Sequence, residues 1–370
     1  MKITIIQGAF LPVPAIQGGA VEKIWHRMGQ EFAALGHEVV HISRSISNLP
    51  VREKLNGVEY IRVKGYNTPS SLIKLKWLDL LYSLRAIKMI PEDSDIIVTN
   101  TFWSPMLIHK NLSRKVYVSV ERFPRGQMKF YKAVGRLRGC SPVICEAIKS
   151  EVPSIHQNLI SYIPNPVPFD IVPVHIKRTK TILFVGRLHP EKGVHILLKS
   201  FKLLEKEVGK DWKLIIIGPS NVQDGGGGDA YCKALNDLSS DLNVEFTGPI
   251  YNEKDLISFY ASSTIFCYPV QQGSGDAAPV APREAMAYGC VPVVSELACF
   301  NDFIQNNING LTFNQNAADQ EFVLAQTLIK LIRDEKGLKA MSEAAKLIVK
   351  RYSPQTVAKL FVQDFKSLKT

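Results

Sequence analysis

Short apolar runs alternate along this chain with longer stretches in which apolar positions recur at helical spacing. Residues 3–7 predict a strand, 20–35 a helix and 38–42 a second strand. Further strands are expected at 95–99, 116–120, 142–145 and 160–163. A second set begins at 180–186 and continues through 213–218, 244–248, 264–268 and 291–295. Strands that alternate with helices imply parallel sheets with helices on their faces. Each set opens on an apolar strand that runs into a glycine, Gly8 in the first and Gly186 in the second. Between the sets lie Pro164, Pro166, Pro168 and Pro173, a proline density that marks a linker. The boundary is placed near 165–178, giving domains 1–168 and 169–352. Ser353-Pro354 starts a last helix, read as 353–370 and expected to pack back on the first domain. The expected fold is α/β, with two Rossmann-like doubly wound domains facing across a cleft that holds the ligand.

Composition narrows this picture. With 370 residues, 46% of them hydrophobic, the chain is too long for one ordinary core and suits two. Its first residues lack the pattern of a signal peptide, and no run approaches the roughly 18–20 apolar residues of a membrane span. A cytoplasmic protein is expected. Cys140, Cys145, Cys232, Cys267, Cys290 and Cys299 form no C-x-x-C pair and are read as free, mostly buried thiols. No clustered His or Cys suggests a metal. The net charge of +11 is uneven: residues 1–170 hold 22 Lys and Arg against 13 Asp and Glu, and residues 171–370 hold 23 against 21. An anionic partner or plain solubility would each account for it. Nucleic acid is set aside, because aromatic residues do not interleave with the basic ones.

Three segments have the residues for chemistry. Gln17-Gly18-Gly19-Ala20 follows the first strand and opens a helix, where free N–H groups would face a phosphate. Gly186-Arg187-Leu188-His189-Pro190-Glu191-Lys192-Gly193 places Arg187 and Lys192 at a helix N-terminus. Two cations at that positive dipole end call for an anion between them, and a diphosphate would supply it. Asp276 precedes Glu284 by eight positions, through a loop rich in Ala and Pro that enters a helix near Pro282. Carboxylates accept hydrogen bonds from sugar diols, though Glu284 in a first helical turn is also explained as a cap.

Here the chain resembles the retaining glycosyltransferases of the GT-B fold, specifically glycosyltransferase family 4. The resemblance rests on Phe184-Val185-Gly186-Arg187 with Glu191-Lys192-Gly193, and on Asp276-x7-Glu284-Ala285-Met286-Ala287. Val291-Pro292-Val293-Val294-Ser295, Asn309-Gly310-Leu311 and Ile163-Pro164-Asn165 add to it. It implies a metal-independent hexosyl transfer from a UDP- or GDP-linked sugar, with no cofactor, to a glycan, lipid-linked or small-molecule acceptor. Arg187 and Lys192 would hold the donor diphosphate, Asp276 the sugar hydroxyls and Glu284 the ribose. Gly18, Gly19, Gly218, Ile250, Ala278 and Val280 would line the donor. Bacterial surface-polysaccharide assembly is the setting the family suggests. An epimerase of the same fold and an inactive partner subunit are the alternatives.

Departures from the family pattern bear on the site. Asp276 stands where the family usually has Glu, and Pro279, which has no N–H, where it usually has glycine. Near the family's usual histidine this chain has Glu121-Arg122-Phe123-Pro124-Arg125. Glu121 is a candidate catalytic and acceptor-positioning residue, and Arg122 and Arg125 would bind an acceptor anion. Ordinary loop charges explain the three equally well. His109 is placed on a helix. Ser71 to Lys88 combines Leu, Ile and Trp with Lys74, Lys76, Arg85 and Lys88. It is read first as a core-facing helix and second as a peripheral contact with anionic membrane at the inner face.

Overall fold

The computed structural model describes residues 1–69, 71–273 and 275–368. It divides the chain into two units, 1–169 with 352–370, and 170–351.

The first unit is built on an eight-stranded sheet. Its strands are β1 (Lys2–Ile6), β2 (Glu38–Ser45), β3 (Arg52–Leu55), β4 (Val58–Lys64), β5 (Ile96–Thr99), β6 (Val116–Val120), β7 (Arg136–Gly139) and β8 (Ile160–Tyr162). They lie in the order β3-β4-β2-β1-β5-β6-β7-β8. All pairings are parallel except β3 with β4. Strands covered on both faces need continuous apolar runs, and Ile3, Ile5, Ile6, Ile96, Ile97 and Val98 are buried. The antiparallel exception turns at Asn56-Gly57, both with positive φ (51° and 80°). That pair is a hairpin signal present in the sequence.

The 170–351 unit has a six-stranded parallel sheet: β9 (Thr181–Val185), β10 (Lys213–Ile217), β11 (Val244–Gly248), β12 (Ile265–Tyr268), β13 (Val291–Ser295) and β14 (Leu311–Phe313). The order is β11-β10-β9-β12-β13-β14. In both sheets the first strand in sequence is central and the order reverses beside it, at β1/β5 and at β9/β12. The chain therefore has two Rossmann-like, doubly wound domains.

The Pro354–Ser367 helix returns to the first unit. Ser353 caps it by accepting the Thr356 N–H (3.3 Å). Phe361 and Phe365 lie against Trp25 and Phe32 of the Ala20–Ala34 helix and against Tyr117. The Tyr117 hydroxyl donates to Asp364 (2.7 Å), which also pairs with Arg136 (3.0 Å). Residues 369 and 370 lie outside the described residues.

Three expectations are corrected. Residues 142–145 begin the Pro142–Glu151 helix, because Ser141 accepts the Ile144 N–H and Pro142 fits the first turn. The strand there is β7, six residues earlier, whose Arg136 and Arg138 hide it from an apolar pattern. His109 is not on a helix: it caps the 3-10 turn Lys110–Lys115 by accepting the Asn111 N–H (3.4 Å). The Leu72–Ala86 helix turns only part of its apolar surface to the core, with Leu75, Leu78 and Leu81 half-buried. Its buried residues are Asp79, Tyr82, Ser83 and Ala86, while Ile73 and Trp77 are 84% and 59% exposed. None of the six cysteines forms a disulfide, and all but Cys232 are buried. Among the described residues no helix is long and apolar enough to cross a membrane.

Candidate functional site

The candidate chemistry of the second unit collects at its topological switch point. The loop after β9 runs from Gly186 to Gly193, and the loop after the neighbouring β12 runs from Pro269 toward Asp276. The Gln271 N–H donates to the Glu191 carbonyl (2.8 Å) and ties the two loops together. His189 caps the Pro190–Lys192 turn. Gly193 ends it with φ 71°, and a Cβ there would strike the Pro269 carbonyl. Only glycine lets the Val194–Val208 helix start so close beneath β12.

This geometry puts Lys192 under the loop rather than out in solvent. The residue is 4% exposed, and its ammonium lies 2.6 Å from Asp276 Oδ1 and 3.7 Å from Glu191 Oε1. The ring of Tyr268 lies 5.9 Å away. Arg187 is more open. It donates to Glu191 Oε1 (2.7 Å) and to the Gly225 carbonyl (2.6 Å). The anion that the two cations call for is thus supplied partly by the protein, as Asp276 and Glu191. An incoming diphosphate would share or replace these partners. Gly218, after β10, packs against the Gly186 carbonyl. Ile250 lies two residues beyond β11 and is half-buried.

The loop from Asp276 to Val280 is held from beneath by a side chain that sequence reasoning passed over. Arg283 is 1% exposed. Its Nε donates to the Pro279 carbonyl (3.2 Å) and an Nη to the Ala278 carbonyl (3.1 Å), and its guanidinium faces the Phe303 ring at 5.2 Å. The missing N–H of Pro279 is therefore accompanied by a carbonyl fastened inward. Ala278 and Val280 are half-buried beside it. Glu284, one turn into the Ala281–Ala287 helix, is 5% exposed and accepts a hydrogen bond from the Tyr260 hydroxyl (2.6 Å). Burial and the Glu284 charge push that phenol well above its ordinary range.

Gly18, Gly19, Glu121, Arg122 and Arg125 belong to the first unit. Gly18 and Gly19 lead into the Ala20–Ala34 helix, with the Glu22 carboxylate folded so closely over Gly19 that a side chain there would collide with it. Arg122 and Arg125 are exposed. Glu121 differs from expectation. Its Oε1 accepts from Trp25 Nε1 (3.2 Å), Ser119 Oγ (2.7 Å) and Arg138 (2.8 Å), and its Oε2 accepts from Asn165 (2.8 Å). Arg138, itself fully buried, also binds Asn165 Oδ1 (2.7 Å) and the Ile163 carbonyl (2.7 Å). Burial would raise the Glu121 carboxyl, but Arg138 and the three other donors outweigh it and hold it below its usual range. The candidate acceptor-positioning group stands at the centre of a buried ion-pair network. Neither Arg138 nor its reach across β6 was legible, since its partners are 17–27 residues away.

With this geometry in hand, the likeness to known proteins falls on the unit that holds it. Residues 170–348 match the family glycosyl transferases group 1. The match spans a little under half of the chain. An uncharacterized glycosyltransferase of Haemophilus influenzae is 28% identical over 186 residues, 48% of this chain and 46% of that protein, so the chain spans about half of that relative's length. An uncharacterized glycosyltransferase of Methanocaldococcus jannaschii is 25% identical over 99% of this chain and 98% of its own. Among solved structures, a sucrose-phosphate synthase from Thermosynechococcus elongatus superposes with a TM-score of 0.81 at 18% identity, covering 100% of this chain and 99% of that one. Anabaena HepE in complex with UDP and glucose superposes with a TM-score of 0.73 at 15% identity, covering 99% and 100%. The fold is GT-B.

Proposed function

We propose that this protein is a glycosyltransferase that moves a sugar from a nucleotide-sugar to a hydroxyl acceptor. The observation that supports it best is the buried Lys192–Asp276 pair at the β9/β12 switch point, with Arg187 beside it. A buried ammonium next to the start of a helix is costly unless anions hold it. A diphosphate would serve as such an anion. The family match over 170–348 and the UDP bound by HepE favour the same reading.

In this reading Lys192 and Arg187 receive the diphosphate, Asp276 accepts hydrogen bonds from the sugar and Glu284 from the ribose. The bond from the anomeric carbon to the diphosphate oxygen breaks as the acceptor oxygen bonds on the same face. The acceptor's proton passes to the departing phosphate. Retention of configuration, membership of family 4, independence of metal and a UDP- or GDP-linked donor are parts of the proposal. So are a glycan or lipid-linked acceptor and a cytoplasmic setting in surface-polysaccharide assembly. Charge stabilisation of the leaving diphosphate would supply most of the rate.

Thermal shift in EDTA with a panel of nucleoside diphosphates and nucleotide-sugars tests it. One nucleotide class at about a hundredfold over its Kd should raise the Tm of the unit that binds it by roughly 5–10 °C. Arg187→Ala and Lys192→Met should each abolish the shift. A wild-type protein that responds to no member of the panel overturns the reading.

A further inference from the structure

The Leu72–Ala86 helix is amphipathic the wrong way round for a helix that serves only its own core. The residues it buries fully carry a carboxylate, a phenol, a hydroxyl and a methyl, Asp79, Tyr82, Ser83 and Ala86, with Leu75, Leu78 and Leu81 half-buried beside them. It sends Ile73, Trp77 and Leu84 outward, at 84%, 59% and 40% exposure, with Leu80 half-buried among them. At 3.6 residues per turn these four positions fall within a stripe about 60° wide. Lys76 and Lys74 stand on either side of the stripe, and Lys88 follows in the 3-10 turn Ile87–Met89. All three are exposed. From Leu72 to Met89 the chain holds four cations against one carboxylate, and that one, Asp79, faces inward.

The surface does not end with the helix. The Trp103 indole donates to the Lys76 carbonyl (2.8 Å), and the Lys76 ammonium sits 4.9 Å over the Phe102 ring. The Tyr131 hydroxyl donates to the Phe102 carbonyl (2.7 Å). The residue before it, Phe130, is 58% exposed, with the Lys129 ammonium over its ring and Lys132 exposed nearby. Aromatic rings and lysines thus gather beyond the C-terminal end of β5.

We infer that this face docks the protein on an anionic lipid surface. Acidic headgroups complement Lys74, Lys76, Lys88 and Lys129, and Trp77 with Ile73 enters the headgroup–acyl boundary. A second copy of the chain fits less well, because a twofold contact would set lysines against lysines around each stripe. The inference does not rest on sugar transfer, and it is read without a donor.

Flotation of the whole protein with phosphatidylcholine vesicles, with and without phosphatidylglycerol, is the test. The wild type should float only with the anionic vesicles, and less as salt rises and screens the headgroups. Ile73→Ser with Trp77→Ser, and separately Lys74→Glu with Lys88→Glu, should each weaken binding roughly tenfold. Their thermal melts should be unchanged, since the residues are exposed. Val51→Ser, an equally exposed apolar site elsewhere, should bind as wild type. The inference is overturned if the wild type does not float or if the variants bind as it does. It is also overturned if sedimentation shows a dimer that Trp77→Ser dissolves while vesicles are ignored.

Discussion

At the scale of single residues, burial decides what a charged group does. Asp79 is 5% exposed and accepts the Phe102 N–H (3.2 Å). Burial pushes its carboxyl up to about 6, against an ordinary 3.8, with the backbone hydrogen bonds pulling the other way. The folded state therefore binds this proton more tightly than the unfolded chain does. The cost is absent below about pH 4, grows between about pH 4 and 6, and is fully present above that. Asp79→Asn should stabilise the protein near pH 7.5 by up to about 3 kcal/mol and have no effect near pH 4. Urea unfolding at the two pH values checks it, and an equal effect at both would contradict the burial argument.

At the scale of an element, the loop from Asp276 to Val280 and the helix after it act together. Arg283, 1% exposed, holds the Ala278 and Pro279 carbonyls from below and so positions the loop. Arg283→Lys keeps the charge and loses the two-pronged grip. On the proposed function, donor KM should rise about tenfold, with kcat changed less, since Arg187 and Lys192, the proposed leaving-group cations, are untouched. An equal fall in kcat with KM unchanged would mean that the arginine acts on the reacting groups. Gly193 shows the same dependence, as its left-handed φ is what brings Lys192 beneath the β12 loop.

At the scale of the whole molecule, the chain leaves the first unit at 169 and returns to it at 352. Phe361 is fully buried in that return, against Trp25, Phe32 and Arg138. Phe361→Ala should cost about 3–5 kcal/mol. Calorimetry should show the loss in one of two transitions, with the other, which belongs to 170–351, unmoved. The nucleotide should raise the second transition. A single transition lowered as a whole would show that the two units melt as one.

The sequence by itself determined two sets of alternating strands and helices, and with them the Rossmann-like character of both sheets. Apolar runs and glycine turns are local and survive without the fold. Local chemistry also marked Arg187, Lys192, Asp276 and Glu284 as candidates, and the Asn56-Gly57 turn was there to be read. Only the tertiary structure decided the rest. Lys192 meets Asp276 across 84 positions because β9 and β12 are neighbours. Glu121 pairs with Arg138, a residue on a strand whose arginines break the apolar pattern. The direction of the Leu72–Ala86 helix followed from what lay beneath it. Periodicity finds an apolar stripe, but which side of a helix the core accepts depends on partners such as the Phe102 N–H, which the chain brings there only by folding.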